Sequence, residues 1–195
     1  MRGSFMKKLA VCLSIALILT GCAGTMPEKA DLNIEIADQS TGVYPSSLQV
    51  SVVSRDIRAD PYIIVYNLDR EATTMLTSRV PPQVLVKDSL AQGLRQQGLN
   101  RGDRSNITVS VVIKELQAKV TKPGALYATH ARTRLELTIG NNGNVLTLEY
   151  NREASKESMT RPKVLFLETM LNEQLTDIVV KMLEDHRVRA AIKGK

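Results

Sequence analysis

Leu19-Thr20-Gly21-Cys22 sets a thiol directly behind small residues, and attachment of lipid is the chemistry that such a thiol is placed to undergo. The box follows Lys7-Lys8 and the apolar run from Leu9 to Leu19. A positive start, a short apolar stretch and a small-residue cut site therefore stand in the order of a secretory signal peptide, with the cut before Cys22. That stretch of 11 residues falls short of the run of about 20 that a helix needs to cross a bilayer. The pattern reads as a bacterial lipoprotein signal over 1–21, with lipid on Cys22 and a membrane as the first partner. Met1 to Phe5 read as a leader or upstream start ahead of Met6-Lys7-Lys8.

Asp56-Ile57-Arg58-Ala59-Asp60 is the other constellation with chemical content. Period two in an extended chain puts Asp56, Arg58 and Asp60 on one side and Ile57 and Ala59 on the other. An acid-base-acid rim of that kind can grip a polar partner or ligand. The plainer reading is a solvated strand end in which Arg58 pairs with its flanking acids for a few tenths of a kcal/mol.

Catalysis requires a nucleophile, a base or a metal held by neighbours. The chain has no Gly-x-Ser-x-Gly elbow, no His-Glu-x-x-His, no Cys-x-x-Cys and no phosphate-cradling glycine loop. His130 and His186 are its two neutral-pH bases, and neither lies in a carboxylate-histidine pattern. The residues call for no metal, no cofactor and no enzymatic role. Lys181, Arg187, Arg189, Lys193 and Lys195 make the C-terminus basic. That charge suits anionic headgroups, and it equally complements a helix dipole.

Removal of 1–21 leaves 174 residues, enough for one ordinary domain. It takes away Arg2, Lys7 and Lys8, so Lys plus Arg falls from 26 to 23 against 20 acidic residues, a net charge of +3. So mild a balance, no Trp and an aromatic content of 4% give no platform for nucleic acid. Cys12 leaves with the signal and Cys22 carries lipid, so no disulfide is expected and the fold rests on packing.

The residues from Ala23 to Asp31 lack periodicity and read as part of a tether, 22–31, ahead of a single domain, 32–195. Leu32, Ile34 and Ile36 alternate with polar residues, as do Leu48, Val50 and Val52, and each set predicts a strand. Tyr62 to Tyr66 predicts a third, and Asn67 to Arg79 a loop or short strand. Pro81-Pro82 opens a helix that repeats Val86, Leu90 and Leu94 and stops at Gly98. Ile107, Val109, Val111 and Ile113 are odd-numbered, whereas Leu116, Ala118 and Val120 are even, which predicts a bulge near Lys114-Glu115. Alternation up to Gly140-Asn141-Asn142-Gly143-Asn144 and again at Leu146, Leu148 and Tyr150 predicts a hairpin. Pro162 starts a long helix whose stripe runs through Val164, Leu167, Leu171, Leu175, Ile178 and Met182 and belongs to the core. The order predicts an α+β fold: a mostly antiparallel sheet with two helices on one face, a two-layer sandwich.

Taken in order, several of these stretches resemble the YajG family of small bacterial lipoproteins. They are Leu19-Thr20-Gly21-Cys22, Asp56-Ile57-Arg58, Gln97-Gly98-Leu99, Ile107 to Val112, and Asn142-Gly143-Asn144 before Tyr150-Asn151-Arg152. The resemblance covers nearly all of 22–195, and it implies an envelope lipoprotein with no established biochemical activity. Ala23 stands where Asp would signal inner-membrane retention, so the expected place is the outer membrane, facing the periplasm. The expected role is a non-enzymatic accessory or binding subunit in envelope maintenance or transport, with an envelope protein as partner. The alternative is a binder of a small ligand or cell-wall fragment near Asp56 to Asp60. A deep pocket with converging charges favours the binder, and an exposed apolar groove or strand edge favours the subunit.

Overall fold

The computed structural model describes residues 26–68, 71–102 and 105–194. The lipidation box and Cys22 lie outside the described residues. Eight strands form one sheet among them: β1 (Lys29–Ala30), β2 (Gln49–Asp56), β3 (Tyr62–Asn67), β4 (Thr74–Ser78), β5 (Asn100–Arg101), β6 (Ile107–Thr121), β7 (Tyr127–Asn141) and β8 (Asn144–Ser158). Three helices accompany it: α1 (Pro82–Gln96), α2 (Val164–Glu184) and α3 (His186–Lys193).

β6 is the spine of the sheet. β7 pairs with it along one edge and β8 with β7, both antiparallel. The other edge of β6 is shared: β2 pairs with Thr108–Ile113, and β3 pairs with Ala118–Thr121, both in parallel. The expectation of a mostly antiparallel sheet is therefore corrected to a mixed one, since β1 on β4 and β5 on β2 are parallel too, and only β3 on β4 adds a further antiparallel pair. Period two reports which face a strand buries and carries no sign of its direction. Here α1 lies between β4 and β6 in the chain, a crossover long enough to bring β6 back parallel to β2 and β3.

The expected bulge is present, where the β6–β7 register shifts between Ile113 and Glu115. It keeps Val111 and Ile113 before it, and Leu116 and Ala118 after it, all buried. The β7–β8 hairpin also matches, turning through Asn142 and Gly143 at φ 49° and 89°, the double left-handed turn that Asn-Gly favours. β4 occupies part of the segment left between loop and strand.

α1 begins at Pro82 behind Pro81, and Val86, Leu90 and Leu94 are buried. It ends at Gly98, whose φ is 104°; the N–H of Gly98 bonds to the Arg95 carbonyl at 3.0 Å and that of Leu99 to the Leu94 carbonyl at 3.0 Å. A Cβ at Gly98 would lie 2.8 Å from the Tyr44 carbonyl oxygen, so both conformation and space select glycine. The stripe of α2 is core as expected, with Leu167, Leu171, Leu175, Ile178 and Met182 fully buried. Gln174 joins them because Thr133 donates to its Oε1 at 2.7 Å and its Nε2 donates to the Ala131 carbonyl at 3.1 Å. α3 is a third helix beyond the two expected. Asp185 breaks the run with φ −62° and ψ 118° and caps α3 by accepting from the Arg187 N–H.

The first expected strand is not part of the sheet. Ala30, Leu32 and Ile34 are buried, so the alternation is real, but from Asp31 to Glu35 the chain runs along α2 instead of along a strand. Lys29 and Ala30 pair with β4, so the fold takes hold of the chain inside the segment read as tether.

Candidate functional site

β2 reaches Ile113 of β6 and β3 takes over at Ala118, leaving a gap in the ladder opposite the bulge. The chain between the two strands fills it. The Ile57 N–H donates to the Ile113 carbonyl at 3.1 Å, Arg58 Nη1 to the Leu116 carbonyl at 3.0 Å, and Gln117 Nε2 to the Tyr62 carbonyl at 3.2 Å. Arg58 also grips Asp56 in a fork, Nε to Oδ1 at 2.9 Å and Nη2 to Oδ2 at 2.7 Å. Its side chain is 7% exposed and that of Asp56 19%. The structure thus brings Asp56 and Arg58 together and spends their polar groups inside the sheet. Asp60 is exposed, and among the described residues no hydrogen bond or ion pair joins it to Arg58. The geometry of a solvated strand end does not apply to Arg58, because a bulge on another strand has freed a carbonyl that its guanidinium satisfies.

The histidines are not brought together. His130 Nδ1 lies 2.9 Å from Ser155 Oγ across β7 and β8, and His186 is 93% exposed at the start of α3. Three of the basic C-terminal residues are engaged within the fold. Arg187 forks onto Asp185, Arg189 Nε donates to the Leu183 carbonyl at 3.0 Å, and the Lys193 ammonium sits 5.6 Å from the centre of the Tyr44 ring.

Two arrangements escaped the sequence reading. On the outward side of β6, β7 and β8, Lys114 Nζ bonds to Glu136 at 2.6 Å and Glu149 at 2.9 Å, and Arg134 meets Glu115 at 3.3 Å. Donation to Glu136 and then to Glu149 raises the Lys114 pKa, and accepting from Lys114 lowers that of Glu149. The signal was the even-numbered charges of β7 facing the bulge residues. The second arrangement is a groove of about 460 Å³ between β2 and α1, lined by Val52, Val53, Lys87, Asp88, Ala91 and Arg95. Lys87 pairs with its neighbour Asp88 at 3.5 Å.

An α+β domain on a mixed sheet defines the class of protein. The chain belongs to a family described as uncharacterized lipoproteins, whose model matches residues 35–193. The uncharacterized lipoprotein YajG of Escherichia coli (strain K12) is 25% identical over 193 residues, covering 96% of this chain and 97% of that protein. The crystal structure of protein XCC0632 from Xanthomonas campestris shares the fold at a TM-score of 0.53 with 11% identity, over 79% of this chain and 92% of that one. Membership of a lipoprotein family implies association with a membrane, and among the described residues no helix is long and apolar enough to cross one.

Proposed function

We propose that the protein is an outer-membrane lipoprotein, anchored by lipid on Cys22 after removal of 1–21 and facing the periplasm, and that it acts without catalysis as an accessory or binding subunit in envelope maintenance or transport. The groove between β2 and α1 carries the subunit reading: it is half apolar and bounded by a strand edge, which suits another protein better than a small polar ligand. The lipobox and Ala23 support the placement. Lys29, the first residue of β1, stands seven positions after Cys22, a span of at most about 23 Å. The domain is then held close to its membrane, within reach of other envelope proteins.

The test is crosslinking in intact cells, with wild type beside Cys22→Ser. The wild-type chain should carry lipid, fractionate with the outer membrane and yield one reproducible crosslinked envelope protein. Cys22→Ser should remain an unprocessed precursor and lose that product. A Cys22→Ser chain of mature mass with lipid attached overturns the anchoring, and a wild-type chain without a specific crosslink overturns the subunit role.

A further inference from the structure

The ladder between β2 and β6 determines which backbone groups of β2 are free. Odd-numbered residues turn their N–H and C=O groups toward β6, as the Ile57 N–H to the Ile113 carbonyl shows. Even-numbered residues turn to the opposite edge. There Leu48 and Val50 accept from the Asn100 and Gly102 N–H groups, each at 3.1 Å. β5 pairs with this edge only at Gln49 and Val50. Beyond it, among the described residues, no strand pairs with this edge of β2 and no backbone hydrogen bond reaches the outward groups of Val52 and Ser54.

Open edges are normally guarded by charge. The outer edge strand β8 follows that rule, with Glu149, Arg152, Glu153, Lys156 and Glu157 along it. The free stretch of β2 is Val52-Val53-Ser54, with Val53 43% exposed, and charge returns only at Arg55. α1 flanks that stretch across the groove, and Ala91 gives the helix side of the groove a small side chain.

We propose that the free edge of β2 and the flank of α1 form a docking lane for an extended segment of a partner protein, added as a strand beside Val52 and Ser54. Unpaired main-chain groups in a row select a strand and give it register, and the groove takes its alternate side chains. The apolar lining of Val52, Val53 and Ala91 calls for apolar residues at those positions. Arg55 lies on the face of β2 opposite Val52, so the segment carries acidic residues between the apolar ones. This deepens the accessory-subunit reading and rests on it for the existence of a protein partner. It does not depend on lipid at Cys22.

The full chain, held in detergent, is used to select from a phage-displayed library of random peptides, and the selected peptide is synthesised with a fluorescent label for anisotropy. It should alternate apolar and acidic residues. Methylating its alternate backbone nitrogens should weaken binding at least tenfold, and binding should slow exchange of the Val52 and Ser54 amide protons. Ser54→Pro removes an outward N–H without touching the β6 ladder, and Ala91→Gln fills the groove from the helix alone; each should cost at least tenfold in binding while melting near wild type. A peptide that binds both variants as well as wild type overturns the proposal, as does a selection that enriches nothing. A chain that dimerises through this edge, with the dimer lost in Ser54→Pro, assigns the lane to a second copy and overturns the partner-peptide assignment. None of these outcomes alters the crosslinking and processing tests of anchoring.

Discussion

The Asn172 side chain accepts the backbone N–H of Asn33 through Oδ1 at 2.9 Å, and it is the middle of three such bonds. Glu168 accepts from the Asp31 N–H at 2.7 Å and Thr176 from the Glu35 N–H at 3.3 Å. Four residues of helix rise about 6 Å, and two residues of extended chain advance about 6.6 Å. One helix face therefore serves every second amide of the segment much as a neighbouring strand would. Leu32 and Ile34, facing the other way, are buried in the core.

Asn172→Ala should therefore loosen this segment rather than the sheet. A net loss of about 1 kcal/mol is expected, with faster amide exchange confined to Asp31 through Glu35. Hydrogen exchange read residue by residue checks it. Exchange that quickens equally along β6 and β7 would show that the strap is not a separate unit.

That segment also shows how far the sequence can be read. The alternation of Leu32, Ile34 and Ile36 gave the buried face correctly, because burial follows from side-chain type. It could not name the partner, since a row of helical side chains and a strand satisfy the same amides. α1, the β6 bulge and the β7–β8 hairpin were legible because proline, glycine and a phase change mark them locally. The parallel pairing of β2 and β3 with β6 was not, since strand direction is decided by the chain between them. Arg58 was legible as half of an ion pair with Asp56. Its burial depends on the Leu116 carbonyl of a strand far along the chain.

Asp185 makes three contacts that tie α3 to β8. It caps α3, accepts from the Tyr150 hydroxyl at 2.9 Å and holds Arg187. The Arg187 side chain, ahead of the backbone N–H and the Tyr150 bond, keeps its carboxyl well below the ordinary value of 3.8. A carboxylate depressed in the folded state stabilises fully above its unfolded value, and that stability is lost as pH falls through the folded one. Wild type should thus lose stability from about pH 5 downward more steeply than Asp185→Asn. Denaturant midpoints measured across that range test it, and parallel acid limbs for the two proteins would remove Asp185 as the source.

Arg58→Ala is the sharpest test of the candidate site. An exposed rim residue would change stability by no more than a few tenths of a kcal/mol. The arginine observed is almost wholly buried and bonds to both Asp56 oxygens and to the Leu116 carbonyl. Truncation leaves a half-buried carboxylate and a bulge carbonyl without their donor, at a cost of about 3 kcal/mol. Lysine cannot reproduce the fork, so Arg58→Lys should recover only part of that loss. Leucine in place of both Asp56 and Arg58 removes the charges together, so the double variant should be less damaging than Arg58→Ala, with the Leu116 carbonyl and the backbone N–H of residue 58 left without their partners. Urea denaturation of the three variants ranks them. If Arg58→Ala melts with wild type, the pair does not close the gap between β2 and β3, and its polar groups are available to a partner after all.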